Sequence, residues 1–181
     1  TGTSYTTPSI SATTTYYVES NVSGCISSRT AVTATVTALP TTASAGADIT
    51  NCNNTTFTMA GNTPSVGTGT WTRISGTVGA ITTANSPTTT VTGITAGQTA
   101  TFRWTTTNGS CTSFDDVILT NTTAPAAPTV TGGSRCDAGT VTLSAAGSGN
   151  LNWYTAASGG TYLTTGTSYT TPSISATTTY Y

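Results

Sequence analysis

The first seventeen residues, TGTSYTTPSISATTTYY, return without one change as residues 165–181. Identity over that length is not a chance event, so the chain carries an internal repeat with a period of 164 residues. Such a repeat restricts the fold to units that can be strung one after another and that contact mainly their neighbours. One full period and a short overlap fill the 181 residues. Both ends fall inside strand-like patterns, so the chain is expected to be a window on a longer polymer.

The units are expected to be all-β. Threonine supplies 52 residues, and with Val and Tyr it favours pleated, extended backbone. No stretch places apolar residues at helical spacing. From Tyr16 the pattern alternates, Tyr16 and Val18 toward one face, Tyr17 and Glu19 toward the other. A second strand, Thr30–Val36, sets Val32, Ala34 and Val36 on one face and Thr33, Thr35 and Thr37 on the other, and Pro40 ends it. Regularly spaced aromatic and branched residues supply a core and argue against disorder.

Gly, Pro and Asn divide the chain into three segments. Residues 1–40 read as the C-terminal half of a domain. The small-residue connector Thr41–Gly46 opens a complete domain, residues 41–123, with strands predicted at Thr56–Met59, Gly69–Ile74, Val78–Thr82, Thr88–Thr92, Ala100–Thr106 and Phe114–Thr120. Asn108-Gly109 is the strongest local hairpin signal. The Pro-rich stretch Ala124–Pro128 then leads into residues 124–181, the N-terminal half of the next domain, with strands predicted at Thr140–Ser144, Leu151–Thr155 and Thr161–Leu163. Phe102-Arg103-Trp104 and Tyr16-Tyr17-Val18 stand at the same distance before Cys111 and Cys25, so both domain types follow one plan and alternate along the polymer.

The cysteines sharpen that plan. Cys52, Trp71 and Cys111 follow one another at spacings of 19 and 40 residues. In the split domain Cys136, Trp153 and the Cys25 equivalent one period on follow at 17 and 36. This Cys–Trp–Cys order predicts tandem immunoglobulin-like β-sandwich domains in an extended array with a two-domain period. It further predicts a Cys52–Cys111 disulfide, with Cys25 and Cys136 paired to their equivalents in neighbouring repeats, and core positions for Trp71, Trp104 and Trp153. Disulfides would place the chain outside the cytosol.

AGADITNCNNTTFTMAGNTPSVGTGTW, SPTTTVTGITAGQTATFRWTTTNGSC and FDDVILT resemble the PKD-like and Ig-like repeats of Bacteroidetes surface proteins. APTVTGGSRCDAGTVTLSAAGSGNLNWYTAASGGTYL, continuing into TTGTSYTTPSISATTTYYVES, is similar to the companion Ig-like repeat. The resemblance implies a giant cell-surface adhesin exported by the type IX system, of the SprB-like gliding-motility filament kind. It implies an extracellular location and a shaft that projects adhesive regions from the cell. Carbohydrate-binding modules, or passive spacer domains of a secreted multidomain enzyme, are the alternatives.

Chemistry is sparsely supplied. There is no His and no Lys, and Glu19, Asp48, Asp115, Asp116 and Asp137 are the only carboxylates, so acid–base catalysis lacks its usual groups and no enzyme is expected. No cofactor is expected. Four cysteines without His make zinc a poor fit, and no metal is assigned; Asp48, Asp115 and Asp116 are weak calcium candidates. Four scattered Arg and a formal net charge of −1 do not suit nucleic acid, and no run is apolar and long enough for a membrane span. The expected partners are neighbouring repeats, with surface polysaccharide or other cell-surface proteins as further candidates. Tyr5, Tyr17, Tyr154 and Tyr162 are candidate sugar-stacking aromatics by alternation, although core or surface-ladder packing accounts for them better. Asn21, Asn53, Asn54, Asn108 and Asn121 head Asn-x-Ser/Thr triplets.

Overall fold

The computed structural model describes residues 2–181. Its chain divides into two compact units, Thr1–Thr123 and Ala124–Tyr181. Every element among the described residues is a strand, and no helix is present that is long and apolar enough to cross a membrane.

In the first unit β1 (Thr14–Val18), β2 (Asn21–Val22), β3 (Cys25–Ile26) and β4 (Thr30–Ala34) make one long hairpin. β1 pairs with β4, and β2 pairs with β3 nearer the tip. The tip residues Ser23 and Gly24 both have positive φ, 51° and 87°, the geometry whose twist matches antiparallel strands. This hairpin has one face without a cover. Val18 and Val32, on the face expected to be buried, are 60% and 57% exposed, and Thr14, Tyr16 and Ala34 are half-buried. The apolar pattern was sound, but a single sheet cannot bury itself.

Residues 41–123 form a two-sheet sandwich. Its strands are β5 (Ile49–Cys52), β6 (Thr56–Thr58), β7 (Thr68–Ser75), β8 (Ala80–Ile81), β9 (Thr90–Thr92), β10 (Gln98–Asn108) and β11 (Cys111–Thr122). One sheet has the order β5-β11-β10-β7 and the other β6-β9-β8. β5 runs parallel to β11, so the first and last strands of the sandwich lie side by side. The long β10–β11 hairpin closes at Gly109-Ser110, with Gly109 at φ 58°. β8 is shorter than predicted because Gly79 turns at φ 102° directly over Phe102, where a Cβ would lie 2.9 Å from the ring.

The core follows from alternation. Trp71, Phe102, Trp104, Val117 and Leu119 project from the larger sheet, and Phe57 and Val91 from the smaller, with Met59 and Ile94 beside them. All are at most 1% exposed. Fully burying a side chain of this size stabilises by about 1.5–3 kcal/mol, so this cluster dominates the sandwich. The two indoles pack at 5.0 Å between ring centroids.

The second unit contains β12 (Thr129–Thr131), β13 (Thr142–Ala146), β14 (Asn152–Tyr154), β15 (Tyr162–Thr165) and β16 (Ser168–Thr170). They form a β12-β13-β16 sheet and a β14-β15 pair. Trp153 is buried, donates through Nε1 to Gly166 O at 2.9 Å and packs on Tyr169 at 5.9 Å. Tyr169 in turn packs on Tyr180 at 5.2 Å. These two tyrosines are the repeat equivalents of Tyr5 and Tyr16, which pack together in the same way at 5.7 Å in the first unit. There, with no tryptophan against it, Tyr5 is 71% exposed.

Candidate functional site

The carboxylates named as calcium candidates are occupied in holding strands together. Before β5 the chain runs along β11, and its backbone amides need acceptors. Asp115 Oδ2 accepts from Ala45 N at 2.8 Å, while Asp48 Oδ1 accepts from Ile118 N at 2.8 Å. Asp116 projects to the opposite face from Asp115 and meets Arg103 across the ladder in a bidentate pair, 2.7 and 2.8 Å. Its hydrogen bond to Arg103 holds the Asp116 carboxyl below the usual aspartate value, and the same bond raises Arg103. The three carboxylates do not converge, and no cluster of metal-ligating side chains occurs among the described residues.

The Arg103 guanidinium also lies 3.8 Å from the centroid of the Phe114 ring. Phe114 is exposed on the outer face of the larger sheet, where Thr105 and Thr112 stand nearby in register. An exposed aromatic beside a fixed ion pair and hydroxyl rows is the one built feature of that face. The sequence reading passed over Phe114, although its even spacing from Asp116 and Ile118 carried the signal. It also passed over Asn62, and it named Asn121 only as the head of a glycosylation triplet. Asn121 is fully buried, donating to Ile94 O at 2.7 Å and accepting from Asn54 N at 3.1 Å. Asn62 ties the connector to the core: it donates to Thr42 O, accepts from Ser44 N and receives Trp104 Nε1.

The cysteines require a correction. All four are free. Cys52 is opposite Thr122, at the last residue of β11, whereas Cys111 is the first. Eleven residues of strand separate those ends, about 36 Å. A disulfide needs Cα atoms within about 7 Å, so Cys52–Cys111 cannot form within this sandwich. The positions between the sheets that such a bridge would occupy are filled by Phe57, Phe102 and Trp104 instead. The Cys–Trp–Cys spacing is real, but its cysteines mark the two ends of the sandwich and not its centre. Trp71, Trp104 and Trp153 are all buried.

Of the candidate tyrosines, Tyr5 and Tyr17 are exposed; Tyr154 and Tyr162 pack edge-on at 5.9 Å. Asn121 is sealed in the core with its amide nitrogen bonded to Ile94 O, so it cannot carry a glycan. Open cavities occur in both units. The first, about 450 Å³, is lined by Tyr5, Tyr16, Val18 and Val32; the second, about 500 Å³, by Arg135, Asp137, Val141, Leu143 and Ile174 among others; and another in the second unit, about 250 Å³, by Val130, Leu151, Trp153 and Tyr181 among others. The first is walled mainly by apolar side chains and the second by a mixture of apolar and polar ones, and all are open to solvent.

A parallel first-to-last strand pair, a Greek-key arrangement of two sheets and a tryptophan-centred core define an immunoglobulin-like β-sandwich. Residues 1–37 and 125–181, just over half of the chain, match the family described as Ig-like domain CHU_C associated. The chain belongs to this family. No curated protein sequence matches it. Among solved structures it is similar to a crystal structure of consecutive titin domains, at 17% identity and a TM-score of 0.48, covering 92% of this chain and 66% of that one. It is also similar to titin domains Z1Z2 in complex with telethonin, at 16% identity and a TM-score of 0.38, covering 80% and 88%.

Proposed function

We propose that the chain is a segment of the shaft of an extracellular filament or giant cell-surface adhesin, built by alternating two kinds of immunoglobulin-like domain. Its role is reach: carrying adhesive regions away from the cell, as a gliding-motility filament does. In this reading residues 41–123 are a whole domain. Residues 1–40 and 124–181 are the closing and opening halves of the other kind, each completed by a neighbouring repeat.

The observation that carries the reading is the family match in two pieces on either side of the central sandwich, joined by an unchanged repeat. The packing agrees with it. The first copy leaves Tyr5, Val18 and Val32 uncovered, while in the second copy the Tyr5 equivalent is covered by Trp153. Each half therefore lacks what the other supplies. The sites likewise support a non-catalytic module, since the carboxylates are engaged in structural bonds.

Antibodies against residues 41–123 should label intact cells of the source organism, and filaments in electron micrographs should lengthen by about 60–80 Å for each added repeat. Labelling confined to permeabilised cells would overturn the reading. A carbohydrate-binding role for the sandwich itself is the second reading, favoured by Phe114 beside the Arg103–Asp116 pair. Loss of glycan-array binding on Phe114→Ala would support it.

A further inference from the structure

We propose that consecutive domains are stapled to one another by disulfides: Cys111 to the Cys136 of the preceding repeat, and, at the alternate junction, Cys25 to the Cys52 of the preceding repeat. This rests on the polymer reading above and adds a covalent link that the domains do not supply individually.

The placement follows from the hairpins. Cys111 is in register with Asn108, directly after the Gly109-Ser110 loop, and Cys25 is in register with Val22, directly after Ser23-Gly24. The two cysteines are thus the same position in two related hairpins. In the first unit the Asn108–Cys111 end meets the connector leaving residues 1–40: Asn108 Nδ2 donates to Ala38 O at 2.9 Å, and a Cβ on Gly109 would lie 3.1 Å from Thr37 Cγ2. Cys111, half-buried and beyond the last layer of the core, therefore faces the preceding domain.

Cys136 belongs at the matching end of that preceding domain. In the second unit Gly139 exchanges two backbone hydrogen bonds with Ile174, 3.0 and 2.9 Å, and Cys136 is exposed on the loop three residues earlier. Ile174 is the repeat equivalent of Ile10. In the first copy Thr13, three residues on from Ile10, is bonded to Val36 through its hydroxyl, which accepts from Val36 N at 3.1 Å. The loop that holds Cys136 therefore sits beside Val36 in a completed domain, next to the Thr37–Ala38 connector that the Cys111 hairpin grips. Pairing inside the domain is ruled out by the same geometry, since Cys25 at the hairpin tip is eleven residues of mostly extended chain, about 36 Å, from the Val36 end. Cys52, exposed at the last rung of β11, likewise marks the end from which the chain leaves its sandwich.

Closing each staple removes two protons and two electrons from two thiols. The acceptor is a low-molecular-weight or protein disulfide: one thiolate attacks it, the second displaces the mixed disulfide, and the acceptor leaves as two thiols. Each staple ties the ends of adjacent sandwiches and limits bending at a connector of a few residues.

The test uses the 181-residue chain carrying a second copy of residues 124–164 ahead of Thr1, oxidised with a glutathione redox pair at low concentration. Non-reducing peptide mapping should find one disulfide, joining the added Cys136 to Cys111, with Cys25, Cys52 and the original Cys136 still alkylatable. Cys111→Ser should abolish that cross-link, and Cys25→Ser should leave it. A link between Cys52 and Cys111, a link between Cys25 and the added Cys136, or free thiols throughout would overturn the staple. Hydrogen exchange separates this from failure of the polymer reading. If Tyr16 and Val32 amides gain no protection in the extended chain, the domain was not completed and that reading falls. If they gain protection while the cross-link is absent, only the staple falls.

Discussion

Gly69→Ala probes the central indole pair most directly. Gly69 lies on β7 beside Thr106 in register, and its missing side chain leaves the space into which Trp104 projects. A Cβ there would lie 2.8 Å from Trp104 Cε2 and closer still to Cζ2 and Cη2, so the added methyl and the indole cannot both keep their places. Trp104 is held from behind by Trp71 at 5.0 Å and by its Nε1 bond to Asn62 at 3.1 Å. Overpacking a tight core typically costs about 1–3 kcal/mol, and the immobile indole puts this site at the upper end, about 3 kcal/mol. For a domain of this size that lowers the thermal midpoint by about 12–24 °C. Replacing Trp104 by Phe removes the ring atoms that clash. In that background Gly69→Ala should cost about 1 kcal/mol or less, giving a coupling of about 2 kcal/mol in a double-mutant cycle. Urea unfolding followed by near-ultraviolet circular dichroism, with all four variants at one m-value, provides the measurement. Equal costs in both backgrounds would show that the penalty comes from the glycine backbone and not from the indole, and would refute the packing argument.

Asn121→Ala leaves Ile94 O and Asn54 N without their buried partner and should destabilise by about 2–4 kcal/mol in urea titrations; a loss under 1 kcal/mol would mean that water replaces the side chain. Asp48→Ala removes the acceptor of Ile118 N and should loosen the chain before β5, so limited proteolysis should cut within residues 41–48 several-fold faster than in the parent. The Arg103–Asp116 pair has a defined pH signature. Because the Asp116 carboxyl is depressed in the folded chain, its contribution is present above the ordinary aspartate value of 3.8 and is lost as pH falls through the lower folded value. Arg103→Gln should therefore be less stable than the parent at neutral pH and converge with it in acid; parallel pH profiles for the two would show that the pair contributes nothing.

The parts of the fold that were legible in the sequence are those where one residue's neighbours lie along its own strand. Alternation located β7, β10 and β11, because Trp71, Phe102, Trp104, Val117 and Leu119 announce a buried face at every second position. β5 was not predicted. Ile49–Cys52 has one apolar residue facing the core, and its strand character comes from parallel pairing with Leu119–Thr122, seventy residues away, which no local pattern records. The same limit applies to Val18 and Val32, whose alternation was read correctly but whose exposure depends on whether a second sheet lies against them, which no local pattern records.

The cysteines show the difference between order and place. Their spacing around Trp71 matches that of a domain bridged through its middle, because the chain must in either case cross from one sheet to the other and back between them. What spacing cannot distinguish is whether a cysteine sits at the centre of a strand or at its end. The occupants of the centre decide it. Phe57, Phe102 and Trp104 already fill the space between the sheets, and a disulfide there would have to displace one of them. A core that needs no bridge leaves its cysteines available for something outside it. In the array proposed above, the structure that stands at the end of each domain is the next domain. The residues that failed as an internal clamp are thus placed where a clamp between domains would act, and Cys111 opposite Asn108 is the position at which that difference can be measured.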